Sequence, residues 1–165
     1  MPTLPANMLS VRGRVLNAVV AKFQAMDADL PANDPYGITW STVALGPLAD
    51  FDQRKRYSLG VVPGAERETF SMPYIMVFLT VNVEFRITAN RDDDAPGILA
   101  EQALTVVKRG ITEDRTWGGI AIDTKIVGSE IDMTTYADRS IVGVCQAEVQ
   151  FRYSHLDPRD PNPDF

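Results

Sequence analysis

The chain has 165 residues, 45% apolar and 23% charged, the balance of one globular domain able to bury a core of its own. No apolar run approaches the ~18 residues of a membrane span, and the N-terminus lacks the basic flank, apolar block and cleavage site of a signal peptide. The single cysteine, Cys145, excludes an intramolecular disulfide and fits a reducing cytosol, while a net charge of −6 argues against nucleic acid as a tightly held ligand.

From the N-terminus, Asn7 or Ser10 is positioned to cap a helix running to about Met26. Val15, Leu16, Val19, Val20 and Phe23 form its apolar stripe, so it lies on a sheet or on another subunit. Asp29 to Gly37 is dense in turn residues and reads as a surface connection. A short strand, Ile38 to Leu45, follows and breaks at Gly46-Pro47. Residues 48–72 read as a hairpin-like arm. Tyr57, Leu59 and Val61 alternate as in a strand, Val62 to Ala65 offers Pro and Gly at the centre of a type II turn, and Arg54-Lys55-Arg56 forms a basic base.

The stretch Tyr74 to Thr88 carries the strongest pattern. Ile75, Val77, Leu79, Val81, Val83, Phe85 and Ile87 alternate with residues that turn polar halfway, from Met76 and Phe78 to Asn82, Glu84 and Arg86. Side chains alternate faces along a strand, so this is a long central strand with one face buried throughout. Beyond it, Asp92, Asp93 and Asp94 precede Ala95-Pro96 and suit the N-terminus of a second helix, with Leu99, Ala103, Val106 and Val107 inward and Gly110 at its end. Thr116 to Gly119 makes a tight connection into a strand over Ile120 to Ile131. Asp138 to Tyr153 is the second long strand, with Ile141, Cys145, Ala147, Val149 and Phe151 on one face.

These elements predict an α+β fold: a mixed, mainly antiparallel sheet of about four to five strands with two helices packed on it. Residues 1–153 form the single domain. Residues 154–165 are a proline-rich tail, extended or disordered unless a partner orders it.

No catalytic constellation emerges, and no metal or cofactor is expected. The aspartate triplet lacks the spaced ligands and bend glycine of a calcium loop and reads as compensation of a helix dipole. His155, the one histidine, sits in the tail without a nucleophile or orienting partner. Cys145 lies on an apolar strand face and reads as an inert buried thiol. Trp117-Gly118-Gly119 lacks the lysine and the strand-to-helix context of a phosphate loop, and its Trp belongs to the core or to an interface, with the core favoured. The mix of basic and aromatic residues at Phe51, Arg54, Lys55, Arg56 and Tyr57 suits docking to an acidic protein partner in a chain this acidic. With Leu156 and Phe165 of the tail, these residues are the candidate assembly interface.

Four patterns in order carry a family resemblance. They are the strand and turn YSLGVVPGAERE after an amphipathic helix, the long strand FLTVNVEFRIT before an acid-initiated helix, the turn DRTWGGIAIDTKIVGSE, and the closing strand VCQAEVQFRY. Over Met8 to Tyr153 the chain resembles the tail terminator proteins of long-tailed bacteriophages. Trp117, where a smaller aliphatic residue is expected, and the extension after Tyr153 depart from that pattern. The resemblance implies a non-enzymatic virion protein, assembled in the host cytoplasm. It forms a hexameric ring that caps the head-proximal end of the tail tube, stops tube polymerisation and offers a head-joining surface. Its implied partners are itself, the tail tube protein, neck or connector proteins and, in contractile tails, the sheath, with DNA passing through the channel and no membrane contact. The alternatives are a tail tube subunit or a neck or head-completion protein, and, in another class, a small soluble enzyme or ligand-binding domain.

Overall fold

The strand Tyr74–Thr88 forms where its alternation predicts it and lies at the centre of the sheet. The computed structural model describes residues 9–29, 38–50, 56–88, 96–132 and 140–161. Among them are two helices, α1 (Val11–Asp29) and α2 (Pro96–Glu113), and five strands: β1 (Thr42–Leu45), β2 (Tyr57–Ser71), β3 (Tyr74–Thr88), β4 (Asp123–Asp132) and β5 (Ser140–Ser154). The strand order is β1-β2-β3-β5-β4. Only β1 and β2 run parallel, so the fold is α+β with a mixed, mostly antiparallel sheet, as expected.

Register places one apolar side chain against another across the two long strands. Val77 faces Phe151, Leu79 faces Val149, Val81 faces Ala147 and Val83 faces Cys145. All eight are buried, and both helices cover this face through Val11, Val15, Val19 and Phe23 of α1 and Ala103, Val106, Val107 and Ile111 of α2. Ser10 is the residue that caps α1, its hydroxyl accepting the Gly13 N–H at 3.1 Å. Asn7 and Asp92 to Asp94 lie outside the described residues.

Three details differ from the sequence reading. Val62 to Ala65 is not a turn: β2 runs through it with an irregularity between Pro63 and Glu66. β1 covers β2 only from Ser58 to Val61, so Pro63 lies where β2 has become an edge and its missing N–H leaves no ladder bond unmade. The hairpin turns instead between Ser71 and Tyr74, where Met72–Pro73 is a cis peptide. Residues 58–61 of the supposed arm are therefore core, with Leu59 and Val61 fully buried. Finally, α2 does not stop at Gly110. This glycine lies under α1, where an added Cβ would stand 2.6 Å from the Phe23 ring and 2.8 Å from the Met26 sulfur, so it marks close helix packing.

The connection after α2 folds around Asp114. One carboxylate oxygen accepts the Thr116 N–H at 3.0 Å and hydroxyl at 2.9 Å, and the other accepts the Gly118 N–H at 2.7 Å. These bonds hold Trp117, Gly118 and Gly119 at successive left-handed φ values of 51°, 73° and 85°. Of the two places open to Trp117 the structure gives the core: it is buried, and its indole N–H donates to the Thr124 hydroxyl at 2.9 Å. The Thr116 hydroxyl first, then the Gly118 amide, hold the Asp114 carboxyl below its ordinary pKa. A depressed folded-state pKa contributes stability above the unfolded value, about 3.9, that is lost as pH falls through the folded pKa. Asp114→Ala is therefore expected to cost about 1 kcal/mol in denaturant titrations at neutral pH. Its deficit against the unaltered protein should shrink below about pH 4.

Candidate assembly surfaces

The bulge in β2 sorts the charges of the hairpin between the two sheet faces. Beyond it Glu66, Glu68 and Phe70 fall opposite Leu79, Val77 and Ile75, on the helix side. Glu66 pairs with Arg12 of α1 at 2.9 Å, and Glu68 accepts the Tyr153 hydroxyl at 2.8 Å. Burial first, then Glu68 itself, push that phenol up to about 12. Arg67 consequently projects from the opposite face, its guanidinium 4.6 Å from the centre of the Phe78 ring. Arg152 lies on the same face, 4.3 Å over the Tyr74 ring. Two cations stacked on two aromatic rings thus form one end of this face, with Met76 between them.

No helix packs on this face among the described residues, and Tyr74, Met76, Phe78, Val142 and Val144 are each half-buried along it. Toward the other end, the short 3-10 turn Leu48–Asp50 folds over its margin, and the Leu48 N–H donates to Glu84 at 3.3 Å. Beside that turn is a groove of about 430 Å³ lined by Leu48, Glu84, Glu130, Asp132, Val142 and Val144, with the buried Arg86 at its base. Among the described residues that line this groove, three carboxylates stand against one guanidinium, the opposite balance to the two cations at the hairpin end.

The segment after β5 is not extended over residues 154–161. It turns back through Asp157 N–H to Ser154 O and Asp160 N–H to Asp157 O, and Ser154 N–H donates to Asp160 O. The Pro158 carbonyl accepts the Val11 N–H at 2.9 Å, satisfying a first-turn donor of α1, and Arg14 also donates to the Arg159 carbonyl. His155 donates its backbone N–H to Pro73 O, and its ring meets Phe70 edge-on at 6.2 Å. Prolines spaced along a tail suggest an extended chain, yet here they sit between turns that Asp157 and Arg159 close by pairing at 2.9 Å. Leu156 is 82% exposed, Met72 70% and Phe70 63%, so the hairpin turn and this segment leave three large apolar side chains in water together.

Of the residues expected at an interface, Phe51, Arg54, Lys55 and Phe165 lie outside the described residues. Arg56 and Tyr57 are half-buried. The Arg56 guanidinium stands 4.9 Å over the Tyr57 ring and donates to Thr88 O at 3.4 Å, while Tyr57 packs against the core. The structure thus places these two at the root of β2 and Leu156 at the distant hairpin turn. Arg67, Arg152, Glu84, Glu130 and Asp132 went unselected. Their alternation assigned several to a wet face, but only the register of β2, β3, β5 and β4 shows which charges share an end.

β4 is an edge strand, with an irregularity between Ile126 and Gly128 and an exposed Val127 at that bend. Among the described residues no group of three or more His, Cys, Asp or Glu side chains could hold a metal, and no helix is long and apolar enough to cross a membrane. Burial pushes the Cys145 thiol up from its ordinary pKa, keeping it protonated and unreactive. No protein-family model matches this chain, and no curated protein matches it.

Proposed function

We propose that this chain is a structural protein of a long-tailed phage virion, the subunit of a hexameric ring that caps the head-proximal end of the tail tube. The ring ends tube polymerisation and presents a surface for joining the head. The order and spacing of the four sequence patterns support this reading, and one structural observation carries it furthest: the sheet face on which no helix packs among the described residues. A long face lined with Met76, Phe78, Val142 and Val144 and bearing charges of unlike sign at its two ends suits burial against protein rather than turnover of a small substrate. A ring built head-to-tail needs two different complementary surfaces on each subunit, and the two ends of this face differ in both shape and charge. The partners on this reading are further copies of the chain, the tube protein, neck or connector proteins and, in a contractile tail, the sheath. DNA crosses the channel without being gripped, consistent with a net charge of −6.

Sedimentation equilibrium of the purified protein tests the ring. A closed assembly of six 18.2 kDa chains is expected, and a monomer or dimer at every concentration, the usual state of a small enzyme, contradicts it.

A further inference from the structure

We propose that, in the ring read above, the hairpin end of one copy docks into the Leu48–Glu130 groove of the next, with Arg67 of the first facing Glu130 of the second. This rests on the ring reading and adds to it a named contact. Neither charge has an opposite partner within its own subunit among the described residues: Arg67 meets only the Phe78 ring, and Glu130 stands exposed on the rim of the groove. Nor do the two ends neutralise each other across one subunit. Phe78, under Arg67, and Glu84, in the groove, are six positions apart on β3, roughly 20 Å at the strand rise. That exceeds the Debye length of about 8 Å at physiological salt, so the complement of each end is found on a second copy.

The apolar surfaces match as well. At the turn of the hairpin Met72 projects in water, and Leu48, Val142 and Val144 supply an apolar wall in the groove. The hairpin carries its acids, Glu66 and Glu68, on the other face, bound to Arg12 and Tyr153, so they do not oppose the carboxylates of the groove. Because the two surfaces differ, the contact is heterologous and each copy has one of each to offer, which closes a ring when the rotation allows. Pairing two such faces antiparallel would also match charges, but that arrangement stops at two copies.

The test compares the unaltered protein with Arg67→Glu, Glu130→Arg and the double swap by sedimentation velocity, with circular dichroism confirming that each is folded. The unaltered protein should form the ring, and each single reversal should weaken self-association about tenfold or more. The double swap should regain most of the lost assembly, which a merely structural role for either residue would not produce. Single reversals that assemble normally, or a double swap without recovery, overturn the docking contact and leave the ring reading standing. An unaltered protein that stops at a monomer or a dimer removes the ring and the contact together.

Discussion

Leu79→Asp is expected to yield no folded protein. Leu79 is fully buried at the middle of β3, between Val149 of β5 and Glu66 of β2 on the face that both helices cover. Arg12, the cation at the neighbouring Glu66, is already engaged by that carboxylate, so an aspartate at 79 must remain charged in an apolar layer or take up a proton against its normal pKa. Either course costs several kcal/mol, and the lost leucine packing adds about 2–5 kcal/mol. Together these are comparable to the whole stability of a domain, about 5–15 kcal/mol. Leu79→Ala, which forfeits only the packing, should remain folded with a lower denaturation midpoint. Thr80→Asp, one residue along on the uncovered face, should change stability far less. A soluble Leu79→Asp protein with a cooperative melt would show that this face is not the core.

The second large effect is expected from the smallest substitution, Gly143→Ala. Gly143 of β5 lies directly opposite Phe85 of β3, whose ring occupies the space a side chain would need. An added Cβ would come within 2.2, 2.6 and 2.8 Å of three atoms of that ring. The ring cannot retreat easily, since Phe85 is fully buried and tilted against Trp40 at 6.3 Å between centroids. Overpacking of this kind costs about 1–3 kcal/mol, and this contact should lie at the upper end. Phe85→Leu alone should also destabilise, by opening a void. Combined with Gly143→Ala it should lose less than the sum of the two, because the new methyl enters the vacated space, with a coupling of about 0.5–3 kcal/mol. Strict additivity in denaturant titrations would mean that the two residues do not meet.

The legible part of the fold is the part written in alternation. β3 and β5 could be read to within two residues because burial on one face repeats an apolar residue every second position over their whole length. Their pairing is harder to read, since alternation gives a strand its faces but not its neighbour. Pro63-Gly64 misleads because the same dipeptide that makes a turn is tolerated at a bulge on an edge, and where β1 ends is not visible in β2 itself. Gly110 misleads for a similar reason: a glycine near the end of a helical pattern marks either a cap or a close crossing, and Phe23 and Met26 decide it from 80 or more residues away. Charge is the least legible part. Clusters along the chain point to Arg54-Lys55-Arg56, of which Arg54 and Lys55 lie outside the described residues, whereas the grouping of Arg67 with Arg152, and of Glu84 with Glu130 and Asp132, arises across strands.

Electron microscopy of purified tail tubes mixed with this protein tests the central claim most directly. A single ring at one end of each tube, with no further elongation when tube subunits are added, is the predicted result. Tubes that bind nothing, bind along their sides, or continue to grow from both ends would contradict the assignment.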